Sequence, residues 1–193
     1  MHRDRYRCFA ELAAHHVEGR DFRITVLRRG SGVAIIAPHA GRIERGTSEV
    51  ARAIAGDDFD LYLFEGCLPA LNFETLHLTS RHFDEARALS LIGDSERVVA
   101  VHGVADTGER ALIGGRDRTL ACAIADQLHL RGVRACTSGH RYPGLDPLNL
   151  CNRGRSGAGV QLELSDRLRG GRTEPDVIAG VRAALHGLDM TRR

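Results

Sequence analysis

"VAIIAPHAGRIERGTSEVARAIA", residues 33–55, decides the fold class. It opens with an apolar run rich in β-branched residues, the mark of a buried strand. From Thr47 the apolar spacing becomes that of a helix, with Val50, Ala51 and Ile54 following a Thr47 or Ser48 cap. Between the two lies a loop carrying His39, Glu44 and two glycines. In open α/β sheets, binding groups collect where strands end at their carboxyl edge, so the loop reads as part of a site.

The same alternation runs along the chain. Strands are expected at "FRITVL", "VAIIAP", "LYLFEG", "LHLTS", "VVAVHG" and "GVQLELS". Helices are expected over residues 4–16, at "TSEVARAIA", "DEARALSLIG", "RDRTLACAIADQLHLRG" and "EPDVIAGVRAALHG", the last with Pro175 in its first turn. This order predicts a single α/β domain over residues 1–193, with a mixed, mostly parallel sheet flanked by helices on both faces. The connection from Gly139 to Gly159 is long and rich in Gly, Pro and Asn, which marks it as functional. "LIGGRD" lacks the fingerprint of a nucleotide site and reads as a helix cap at Asp117 or a tight turn.

Composition narrows the class. The 193 residues are 42% hydrophobic and 27% charged, an ordinary globular balance that excludes disorder. A formal charge of +2 is too small for a nucleic-acid binder, while the dominance of arginine among the basic residues keeps carboxylates in view as ligands. Five cysteines without a CxxC pair fit neither a disulfide framework nor a cysteine zinc site. No apolar run approaches the roughly 18 residues of a membrane helix, and the amino-terminal stretch has no signal-peptide core. A cytoplasmic monomer without membrane contact is expected.

Polar groups recur at strand ends: His39 after "VAIIAP", Glu65 in "LYLFE", His102 in "VVAVH" and Glu163 in "VQLELS". Catalytic zinc uses three nitrogen or carboxylate ligands and keeps a fourth position open. His39, Glu44 and His102 supply such a set, with Gly41 allowing the loop to turn and Gly103 allowing close approach. Glu49 competes with Glu44 and His77 with His102. His77 is otherwise a partner that orients a ligand, and Glu65 is expected to be another, in preference to a structural acceptor of loop amides. In "VQLELS", Gln161 and Glu163 share one face, so the strand can present Glu163 to a cleft while burying its leucines.

Taken together, "FAELAAHHVEGRDFRI", "APHAGRIERGTSEVARAIAG", "LYLFEG", "LHLTSRHFDE", "VVAVHG", "LIGGRD" and "LNLCNRGRSGAGVQLELSDRLR" resemble, in that order, the poly-γ-glutamate hydrolase family of bacteria and their phages. The resemblance implies a zinc carboxypeptidase-like fold and one Zn2+ ion held by His39, Glu44 and His102, with Glu163 as the catalytic carboxylate. It implies hydrolysis of γ-glutamyl amides by zinc-activated water, with Glu163 as general base and then proton donor to the leaving amine. Every unit of such a polymer carries a free carboxylate. Asn152, Arg153 and Arg155 in "CNRGRSG" are expected to clamp it, with Arg42, Arg45, Arg116 and Arg141 as further candidates. Two rival readings are a deacylase or peptidase of small acyl- or glutamyl-amino acids and, from another class, a non-catalytic phage-derived binding protein.

Overall fold

Strand β2 (Val33–Gly41) is buried along nearly its whole length, and the layers are arranged around it. In the computed structural model, which describes residues 4–106 and 108–190, it pairs in parallel with β3 (Asp60–Gly66) and with β4 (Arg97–Val104). Residues 1–3, 107 and 191–193 of the expected domain lie outside the described residues. Outward from β4 come β7 (Val160–Ser165), β5 (Arg110–Gly115) and β6 (Arg134–Cys136), and β1 (Phe22–Leu27) closes the other edge. The order is β1-β3-β2-β4-β7-β5-β6, with only β1–β3 and β5–β7 antiparallel. The sheet is thus mixed and mostly parallel, as the sequence predicts.

Side chains alternate across the strands and so build two cores. Val33, Ile35, Leu61 and Leu63 pack against α2 (Thr47–Ala55), α5 (Arg118–His129) and α6 (Glu174–Met190). Ala34, Ile36, Tyr62 and Phe64 face α1 (Phe9–Ala13), α3 (Asn72–Leu76) and α4 (Ala86–Gly93). Each fully buried aliphatic or aromatic side chain here contributes about 1.5–3 kcal/mol. Among the described residues, no helix is long and apolar enough to cross a membrane.

Four local expectations are corrected. "LHLTS" is no strand: α3 ends at Leu76, and the following backbone turns its polar groups to the site instead of a ladder. The Leu78 carbonyl meets His39, the Thr79 N–H donates to Asp4, and the Ser80 carbonyl accepts from Leu150. "LIGG" is most of β5, because Gly114 lets the 142–143 backbone, and Gly115 the Gly159 backbone, lie within contact of the strand. The helix expected over 4–16 is only Phe9–Ala13, since the carboxyl of Asp4 is taken up by Thr79 and His77. At α2 the cap position is Gly46, and the Thr47 and Ser48 hydroxyls bond Glu44 and Glu65. Asp117 does cap α5, accepting from the Leu120 N–H.

Candidate metal centre and cleft

The carboxyl ends of β2, β4 and β7 lie side by side, which brings residues 39, 102 and 163 onto one edge. Between Ala37 and Ala40 the register of β2 against β3 slips, three residues answering two, and the bulge falls on Pro38 and His39. A bulge re-aims a side chain, and here the His39 imidazole turns inward at 2% exposure. Gly41 follows at φ +67, where a Cβ would stand 2.8 Å from the Gly66 carbonyl, so the chain bends sharply back. The bend puts the Glu44 carboxylate beside His39.

Three donor atoms converge. His39 Nδ1 lies 3.1 Å from Glu44 Oε1 and 3.1 Å from His102 Nδ1, and His102 Nδ1 lies 3.7 Å from Glu44 Oε2. His39 Nε2 stands 2.7 Å from the Leu78 carbonyl, which can only accept, so the ring proton is on Nε2 and the Nδ1 lone pair faces the other two. His102 Nε2 approaches Ser80 Oγ at 3.4 Å and leaves its own Nδ1 turned to the same point. Glu44 Oε2 accepts from the Gly103 N–H at 2.8 Å, tying the loop to the strand that carries His102. Lone pairs this close repel unless a proton or a metal cation lies between them. Tetrahedral zinc with bonds of about 2.0–2.1 Å separates its ligands by about 3.4 Å, so the three donors fit such an ion.

His77 competes for the third place. One donor atom each from His39, Glu44 and His77 also fall within 4.8 Å of one another, and the His77 ring packs on His39 at 4.1 Å between centroids. Its Nδ1 bonds Asp4 at 2.8 Å, and burial, with the His39 ring beside it, lowers its pKa to about 4. The competitor Glu49 is exposed on α2.

Glu163 is the register partner of His102 on β7, buried at 6% exposure, with Oε1 accepting from Gln161 Nε2 at 2.7 Å. Burial raises its pKa, and the Glu44 charge adds to the effect against the His102 and His39 imidazoles. Glu44 goes the other way: burial opposes its charge, yet His39 and His102 hold its carboxyl below the usual range.

His39, Glu44, His77, His102 and Glu163 line one cleft of about 790 Å³. Arg42, Arg45, Arg81, Arg141 and Arg169 line it too. The expected clamp is not among them. Asn152 is buried, with its amide spent on the carbonyls of Gly144 and Asp146 and its Oδ1 on the Arg116 and Gly159 N–H groups, so it shapes the long loop. Arg153 donates to the Phe83 carbonyl, Arg155 is exposed, and neither they nor Arg116 line the cleft. Among the described residues, Glu65 does not bond a histidine. It accepts from Ser48 Oγ at 2.9 Å, and Ser48 Oγ accepts from the Gly41 N–H at 2.8 Å, so Glu65 steadies the loop between His39 and Glu44.

Two residues had no sequence signal. Asp4 reaches His77 and Thr79 from the far end of the chain. Arg169, only 5% exposed in its side chain, donates to the carbonyls of Leu164 and Arg45 and pairs with Asp166, while packing over Gly103. It thereby ties together the ends of β2, β4 and β7.

Comparison with known proteins gives a consistent picture. The family model described as poly-gamma-glutamate hydrolase matches residues 6–172. The UPF0714 protein YndL of Bacillus subtilis (strain 168) is 38% identical over 168 residues, covering 86% of this chain and 66% of YndL. A solved bacteriophage poly-gamma-glutamate hydrolase superposes with a TM-score of 0.92 at 30% identity, covering 98% of this chain and 100% of the other. A zinc-free structure of YndL gives 0.89 at 32% identity, covering 96% and 99%. The chain spans 60–71% of the length of the curated relatives it matches.

Proposed function

The chain belongs to the poly-gamma-glutamate hydrolase family, and from that premise we propose that it is a zinc-dependent hydrolase of γ-glutamyl amide linkages, most naturally those of poly-γ-glutamate. The observation that carries this reading is the convergence of His39 Nδ1, Glu44 and His102 Nδ1 at 3.1–3.7 Å beside the buried carboxyl of Glu163. One zinc ion held by these three would acidify water and polarise the scissile carbonyl. His102 is the third ligand in this reading, because its donor triangle is tighter and because Asp4 already engages Nδ1 of His77. His77 packs on His39 and fixes that ring, while the Leu78 carbonyl fixes its tautomer.

Glu163 takes the proton of the attacking water and returns it to the leaving amine. Burial suits it to that shuttle, since a carboxyl with a raised pKa is a stronger base and gives up its proton nearer neutrality. Arg42, Arg45 and Arg141 face the cleft and have no acidic ion-pair partner among the described residues, so their guanidinium groups are available to substrate carboxylates. The experiment is incubation with poly-γ-glutamate, with product length read by chromatography, beside a small γ-glutamyl anilide. Shortening of the polymer, abolished by chelation and restored by zinc, is expected. Cleavage of the anilide alone would favour an enzyme of small conjugates. Cleavage of neither would reject the reading.

A further inference from the structure

The catalytic cleft does not end at Arg42 and Arg45. Both side chains also line a second groove of about 730 Å³, which continues over the loop between β2 and α2 to Arg23, Cys67 and Pro69. The two concavities therefore share a wall of exposed cationic side chains.

The charge of the second groove is decided by which acids are already neutralised. Glu65 lines it but is only 5% exposed, and its carboxylate is occupied by Ser48, Arg23 and Arg52. Arg42 donates to the Leu68 carbonyl and carries no ion pair among the described residues, and Arg45 carries none either. Arg23 remains 62% exposed in its side chain despite its bond to Glu65. Against these three guanidinium groups stands Glu49, the one exposed acid among the lining residues. A shallow surface of this kind is no place for an uncharged ligand. It suits a flexible chain with repeated carboxylates, held by several weak, salt-sensitive contacts.

We infer that this groove is a polyanion subsite, which holds γ-glutamyl units remote from the scissile bond and makes the enzyme respond to chain length. The inference rests on the hydrolase reading and adds to it. A substrate of one or two units fills the catalytic cleft without touching Arg23 or Pro69, whereas a long chain lying across Arg42 and Arg45 reaches them. Charge at the far end of the groove should then alter the handling of polymer alone.

Glu49→Arg and Pro69→Glu test this, because both side chains are exposed and neither bears on the folded core. KM should be measured for long poly-γ-glutamate and for a γ-glutamyl dipeptide anilide, at low and high salt. For the polymer, Glu49→Arg should lower KM about two- to fivefold and Pro69→Glu should raise it by a similar factor, as expected for one surface charge pair. Both effects should shrink at high salt, and kcat should hold. The anilide should show no such change. Equal shifts on both substrates, or none on the polymer, would overturn the subsite while leaving wild-type hydrolysis intact. A wild-type protein inert toward both substrates would instead remove the hydrolase reading and this one with it.

Discussion

Glu44 and Glu163 face the same cleft, yet their surroundings drive their carboxyls in opposite directions. Two imidazoles keep Glu44 charged, and burial raises the pKa of Glu163. The two therefore suit different tasks, one holding a cation and one moving a proton. Glu163→Gln should keep the same shape and the same metal content while kcat falls about 10²–10⁴-fold, measured by steady-state assay beside elemental analysis. Activity within tenfold of wild type would remove Glu163 from the proton path. The two candidate third ligands separate just as cleanly. His102→Ala should abolish tight zinc binding in a chelator competition, whereas His77→Ala should weaken it about 10–100-fold through the freed His39 ring. The reverse order would exchange their roles. At this scale the sequence was most informative where groups were local: His39, Gly41 and Glu44 lie within one turn of chain, and their meeting follows from a strand end and a glycine. It was silent on Asp4, which meets His77 from 73 residues away. It misled at Asn152, whose donors look like a substrate grip until their backbone partners are seen.

Elements set the distances among these residues. Strands β2, β4 and β7 place their carboxyl ends together by parallel pairing, and Arg169 then fastens those ends. Arg169→Met should keep the fold but lower both melting temperature and zinc affinity, the latter about tenfold or more. Arg169→Lys should rescue little, because a single ammonium cannot reach acceptors set apart by a planar fork. Unchanged metal affinity in Arg169→Met, read by chelator titration, would show the clamp to be dispensable to the site. Buried strands such as β2 and β3 were legible because their apolar runs admit no other placement. Strand β5 and the edge strand β6 were not, since β5 carries two glycines that look like a turn and β6 has only three residues. "LHLTS" alternates like a strand, but Leu76 and Leu78 reach the core from a helix end and an irregular segment, so the alternation reflects burial without strand hydrogen bonding.

Over the whole molecule, the amino-terminal segment is fastened by carboxylates. Asp21 accepts from Arg20 and from the Val17 N–H, which hold its carboxyl well below the usual range. Arg87 does the same for Glu18, and in Asp4 the bonds from Thr79 and His77 outweigh the burial that alone would raise it. Carboxyls with lowered folded pKa stabilise the fold above their unfolded values of about 4 and lose that contribution as pH falls further. Melting temperature should therefore be flat near neutrality and drop below about pH 4, with Asp21→Asn flattening the drop; a pH-independent melting point would contradict this. A metal held at the proposed site would add to stability in the same molecule, since an ion that binds only the folded chain shifts unfolding by mass action. The account turns on where that ion sits. Anomalous diffraction at the zinc edge from zinc-soaked crystals tests it most directly: one peak is expected about 2.0–2.2 Å from His39 Nδ1, the Glu44 carboxylate and His102 Nδ1, and a peak bound through His77 with His102 unligated, or none within reach of His39, would contradict it.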